Sequence, residues 1–182
     1  IPLANSTPFD WLGTGYLFPG LFGMPGIPYA VLVMAVVVIV FAIVLGRTPY
    51  GRYVLALGGN EEAARLAGID TGRVKTLVYV ISGGCAALAG LLLVARFGSG
   101  APQNGTGYEL QAIAAVVVGG TSLMGGRGTI VGTFFGALLI GVLNNVMNLL
   151  RVESYTQLIV LGAVILLAVV LDQLRKVYLA AR

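Results

Sequence analysis

Between Ile27 and Gly46 the chain reads IPYAVLVMAVVVIVFAIVLG, about twenty residues without a charge. At about 1.5 Å of rise per residue such a run covers the roughly 30 Å of a bilayer's hydrocarbon core. Inside hydrocarbon, a lone segment satisfies its backbone N–H and C=O groups only as a helix. This one stretch therefore constrains both the medium and the secondary structure. The pattern recurs at Leu77 to Ala95, at Ile130 to Leu150, and at Leu158 to Leu171 with polar flanks. Tyr108 to Gly119, about a dozen apolar residues, is too short to cross as a straight helix and reads as a half-helix or re-entrant third element. The remainder agrees: 10% of residues are charged and 58% hydrophobic, against about 25% charged in an ordinary soluble domain. The expected fold is all-α, a polytopic transmembrane helix bundle in one domain over residues 1–182.

The residue inventory excludes several chemistries. There is no histidine, so no His-based triad, His metal site or HExxH helix can be built. The one cysteine, Cys85, lies in an apolar run; it has no internal partner for a disulfide and reads as a packing residue. No cofactor, metal or catalytic group is expected, and with a net charge of +4 nucleic acid is not an expected partner. No apolar run has an ionisable residue at its centre, which removes the usual mark of a proton- or sodium-coupled carrier. Residues 1 to 27 lack the basic start and compact apolar core of a signal peptide, and the chain opens at Ile1 without an initiating methionine.

Basic residues set the orientation. Arg47, Arg52, Arg65, Arg73 and Lys75 flank the segment after the first run, Arg127 lies in a glycine-rich turn, and Arg175, Lys176 and Arg182 close the chain. If the short third element carries the chain across, all of these share one side and only Arg96 and Arg151 lie opposite. The excess of Lys and Arg on cytoplasmic loops makes the larger set cytoplasmic. The N-terminal segment, with Trp11 and Tyr16, is then external, and the C-terminus cytoplasmic.

The stretch GGNEEAARLAGIDTGRVK, Gly58 to Lys75, stands out within this greasy chain. Asn60 can cap a helix that opens with Glu61 and Glu62, acids placed where the dipole favours them, and Gly68 suits a left-handed stop. Glu61 and Arg65 are spaced i, i+4, and Ala63, Leu66 and Ala67 share a face. So short a helix is marginal in isolation, and either its own bundle or a partner must hold it.

Glu62-Ala63-Ala64 followed by Gly68 reads E-A-A-x-x-x-G and resembles the coupling-helix loop of bacterial ABC importer permeases. GRYVLALGGNEEAARLAGI, YELQAIAAVVVGGTSLMGGRGTIVGTFFGALLIGVLNN and the closing AVVLD resemble the permease subunits of ribose- and xylose-type sugar importers, from roughly residue 8 to the end. The resemblance implies that residues 47–76 form a cytoplasmic coupling loop. In it Asn60, Glu61, Glu62, Ala63, Ala64, Arg65, Leu66 and Gly68 would dock on a cytoplasmic ATP-binding subunit. It also implies a second permease copy, an external sugar-binding protein and a bacterial inner membrane. ATP hydrolysis would then lie on the partner, the chain itself being no enzyme. Such permeases are longer, with spans before the point where this chain begins, so the chain corresponds to the C-terminal portion of one. The competing readings are an amino-acid permease of the same superfamily, a secondary carrier, a membrane scaffold and a solvated surface helix.

The glycine-rich GGTSLMGGRGTIVGTFFGALLIG is no phosphate loop, because after Gly120 and Gly125 the pattern needs Lys and then Ser or Thr, and Gly126 and Arg127 follow. Gly119, Gly120, Gly125 and Gly126 instead suit a tight turn, and Gly128, Gly132 and Gly136, four apart, suit close approach of another helix. Asn144, Asn145 and Asn148 sit in an apolar run. They read as ties between helices or as the lining of a substrate path, since a buried amide without a partner costs about 1–3 kcal/mol. Glu109 suits the start of the third element, and Arg96 a snorkelling position at the outer interface.

Overall fold

The computed structural model describes residue 13 and residues 15–17, 26–101, 103 and 105–180. Trp11 and Arg182 lie outside these, as do the side chains of Arg175 and Lys176. The described chain is helices joined by turns, with a two-stranded antiparallel ribbon, β1 (Tyr16–Leu17) and β2 (Ile27–Pro28), in which Tyr16 is opposite Pro28 and Leu17 opposite Ile27. The helices are α1 (Tyr29–Arg47), α2 (Pro49–Gly59), α3 (Glu61–Leu66), α4 (Thr71–Phe97), α5 (Tyr108–Val118), α6 (Ile130–Leu149) and α7 (Ser154–Ala180). Three of them, α1, α4 and α6, are long and apolar enough to cross a membrane, and α5 and the stretch Ser154–Val170 of α7 are shorter apolar helices. The protein is an all-α, polytopic membrane bundle.

Two compact units divide the contacts. The first combines residues 1–40 with 72–106 and contains the ribbon, most of α1 and nearly all of α4. There the backbone at Gly13 lies directly against the Ala95 carbonyl near the end of α4, where Ala95 is buried. The second combines residues 41–71 with 107–182 and contains α2, α3, α5, α6 and α7.

The core of the second unit is built around its short helix. Ala114 and Ala115 of α5 are buried with Ile140 of α6 and Leu161 of α7, and Val118, Val164 and Ile165 pack around them. Small residues on α5 let both neighbours come close. The α6 side of this contact is glycine: a Cβ at Gly132 would strike the Gly119 carbonyl oxygen, and one at Gly136 the Ala115 carbonyl oxygen. A Cβ at Gly128 would lie 2.7 Å from the Thr121 methyl. Outside this core the helices keep many large apolar side chains outward, and no residue of α1 is buried. Such surfaces are at home in lipid or against further apolar helices rather than in water.

Candidate functional site

The segment between α1 and α4 is more structured than its polarity suggests. Thr48 stops α1 and starts α2: its hydroxyl donates to the Val44 carbonyl at 2.6 Å and accepts from the Gly51 amide at 3.3 Å. Pro49 follows at the first helical position, where its missing N–H costs nothing. Gly51 is buried, and its backbone sits where any Cβ would strike the Leu45 carbonyl, so the chain turns sharply. The sequence reading missed α2, although Thr48-Pro49 is a helix-start signal.

Asn60 serves two helices. In extended conformation (φ −156°, ψ 107°), its amide donates to the Ala56 carbonyl at 3.0 Å and closes α2. Its side-chain Oδ1 accepts from the Ala63 amide at 2.9 Å and opens α3. Glu61 and Glu62 stand exposed in the first turn, and Arg65 in the last. Gly68, at φ +83°, ends the helix in a Schellman motif: its N–H donates to the Arg65 carbonyl and that of Ile69 to the Ala64 carbonyl. Within α3 only Ala64 is buried, at 4% exposure, while Leu66 stands 83% exposed. The helix is thus seated through Ala64 and turns Ala63, Leu66 and Ala67 outward.

Beside this segment lies the turn between α5 and α6. Gly120 (φ +84°) closes α5, its N–H meeting the Val117 carbonyl and that of Thr121 the Val116 carbonyl. Thr129 opens α6 by accepting from the Gly132 amide at 3.1 Å. Between them the Ser122 amide donates to the Arg127 carbonyl at 3.0 Å and the Gly125 amide to the Ser122 carbonyl at 3.1 Å, with Gly125 and Gly126 both left-handed. The tip touches the end of α2 backbone to backbone: a Cβ at Gly125 would strike the Gly58 carbonyl oxygen, and one at Gly58 would lie 2.8 Å from the Gly126 amide nitrogen. Ser122, itself buried, donates to Asp172 of α7 at 3.4 Å. A cavity of about 380 Å³ lies between α2 and the turn, lined by Val54, Leu55, Gly58, Thr121 and Thr133 among others. Nothing in the sequence spacing announced that Gly58 and Gly125 meet.

The three asparagines of α6 are placed differently from one another. Asn144 is half-buried and Asn145 exposed, while the Asn148 Oδ1 accepts from Gln157 Nε2 of α7 at 3.0 Å. The same Gln157 nitrogen donates to the Val152 carbonyl at 2.9 Å, so Asn148 is bonded into the α6–α7 corner. A larger cavity, about 590 Å³, lies between α5 and α7 and is apolar apart from Asp172 at one end.

Residues 4–169 match the family described as branched-chain amino acid transport system / permease component. The chain is 50% identical over 172 residues to the ribose import permease protein RbsC of Escherichia coli (strain K12), covering 94% of this chain and 51% of the relative. To RbsC of Bacillus subtilis (strain 168) it is 49% identical over 172 residues, 93% of this chain and 53% of the relative. The xylose transport system permease protein XylH of Haemophilus influenzae is 46% identical over 151 residues, 83% of this chain and 40% of the relative. The chain thus spans about half the length of the curated ribose permeases it matches. No solved structure matches it. A helical membrane fold, a family match over nearly its whole length and relatives of this similarity agree: the chain belongs to the branched-chain amino acid transport system permease component family.

Proposed function

We propose that the chain carries the coupling segment and core spans of a permease subunit in an ATP-driven importer of a pentose. The assembly comprises two permease copies, cytoplasmic ATP-binding subunits and an external sugar-binding protein. The chain is the non-enzymatic subunit and sits in a bacterial inner membrane, with α3 in the cytoplasm and ATP hydrolysis on the partner. The sugar class rests on the ribose and xylose permeases among its relatives, despite the amino-acid wording of the family description.

The single observation that carries the coupling role is the posture of α3. Six residues are too few to hold a helix in water. This one is capped at both ends by Asn60 and Gly68 and anchored on Ala64, yet it leaves a leucine, next to Arg65, almost fully exposed. Fully burying a leucine is worth about 1.5–3 kcal/mol, so a helix held rigid with Leu66 outward is preorganised to dock. Glu62 and Arg65 supply the polar rim.

In proteoliposomes holding the full-length permease with its ATP-binding and sugar-binding partners, Leu66→Asp is expected to lower ATP-dependent ribose uptake about tenfold or more. Glu62→Lys is expected to act in the same direction, with permease yield in the membrane unchanged. A cysteine at Ala63 is expected to cross-link to the ATP-binding subunit, whereas one at the buried Ala64 is not. Full uptake by both variants overturns the docking role. Uptake without ATP that collapses with an ion gradient overturns the importer reading and points to a secondary carrier.

A further inference from the structure

We infer that the backbone contact of Gly58 with Gly125 and Gly126 is the joint through which displacement of α3 enters the helix core, which makes these glycines positioning residues for transport. The inference rests on the coupling role proposed for α3. Gly58 stands two residues before Asn60, whose amide closes α2 and whose side chain caps α3, so a displacement of α3 reaches Gly58 through one shared residue. Across the contact no side chain intervenes: the Gly58 carbonyl and the Gly126 amide lie where any Cβ would be. A side-chain contact can absorb a shift of a few tenths of an ångström by changing rotamer; a backbone contact hands it on.

What receives the push is tied to three helices. The turn is continuous with α5 through the Gly120 motif and with α6 through the Thr129 cap, and Ser122 donates to Asp172 on α7 at 3.4 Å. Those are the three helices that meet in the buried core, where Ala114 and Ala115 of α5 lie with Ile140 of α6 and Leu161 of α7. The cavity of about 380 Å³ flanking the contact leaves the turn room to shift. One glycine contact therefore connects the outward-facing α3 to every helix of that core.

The test uses the full-length permease assembled with its ATP-binding subunit and sugar-binding protein. Gly58→Ala keeps an ordinary helical backbone, but its methyl would lie 2.8 Å from the Gly126 nitrogen. Gly46→Ala makes the same change in open space and serves as the control. Gly58→Ala is expected to co-purify with the ATP-binding subunit and keep basal ATP hydrolysis, because the α3 surface is untouched. Its stimulation by sugar-loaded binding protein, and its uptake, are expected to fall about tenfold or more, with Gly46→Ala at wild-type levels. If Gly58→Ala lowers the amount of complex, the ratio of stimulated to basal hydrolysis in the assembled fraction still decides. An unchanged ratio overturns the inference while leaving α3 as the docking helix. A wild-type permease that fails to engage the ATP-binding subunit fails the underlying reading instead.

Discussion

Arg151 follows α6 with φ at +54°, a left-handed conformation that glycine adopts freely and a side chain adopts at a cost. Its N–H donates to the Asn148 carbonyl and that of Val152 to the Met147 carbonyl, the same closure that Gly68 gives α3 and Gly120 gives α5. Gly68 was legible as a stop because glycine advertises this backbone; an arginine does not, and Arg151 read only as a charge. Relief of left-handed strain, about 1–2 kcal/mol, outweighs the added chain entropy of glycine, about 0.5–1 kcal/mol. Arg151→Gly is therefore expected to raise the Tm of the detergent-solubilised permease by a few degrees in thermal unfolding. Tyr50 on α2 offers a second change. Burial pushes its hydroxyl above the usual tyrosine range, so it stays neutral through physiological pH, and its oxygen has no hydrogen-bond partner among the described residues. Tyr50→Phe removes an unpaired buried group, and the same measurement is expected to show an equal or higher Tm.

Among the elements, hydropathy located the parts of helices that suit lipid but not the helices themselves. The run expected from Leu77 begins at Thr71, because Arg73 and Lys75 interrupt apolarity without interrupting helix formation, and α7 extends from Ser154 to Ala180 for the same reason. The short third element is α5, legible in length and position, yet its place between α6 and α7 was not, since that depends on the turn geometry at Gly120, Gly125 and Gly126. The α5–α6 contact yields a prediction. Gly136→Val drives a side chain into the Ala115 carbonyl, and with backbone on the far side there is no rotamer to yield. Overpacking of this kind costs about 1–3 kcal/mol or more. Gly136→Val is expected to lower both Tm and the yield of assembled permease, whereas Gly141→Val, in open space on the same helix, is expected to leave both unchanged.

At the scale of the molecule, three helices of spanning length with apolar side chains turned outward make this a membrane protein by solvent requirement as well as by kinship. The chain is expected to resist alkaline carbonate and to leave the membrane only with detergent, as fractionation would show. Its transport reading was accessible from E-A-A-x-x-x-G and the glycine-rich segment together, while the backbone contact of Gly58 with Gly125 and Gly126 emerged only in three dimensions. The length of α5 has one more consequence. Eleven residues rise about 16 Å, roughly half the hydrocarbon thickness, and the helix begins at Gly107 with no side-chain cap for its first amides. If it lies within the bilayer, those donors open at mid-depth, where acyl chains can offer them nothing. Either water or another stretch of polypeptide then has to descend to that level to meet them.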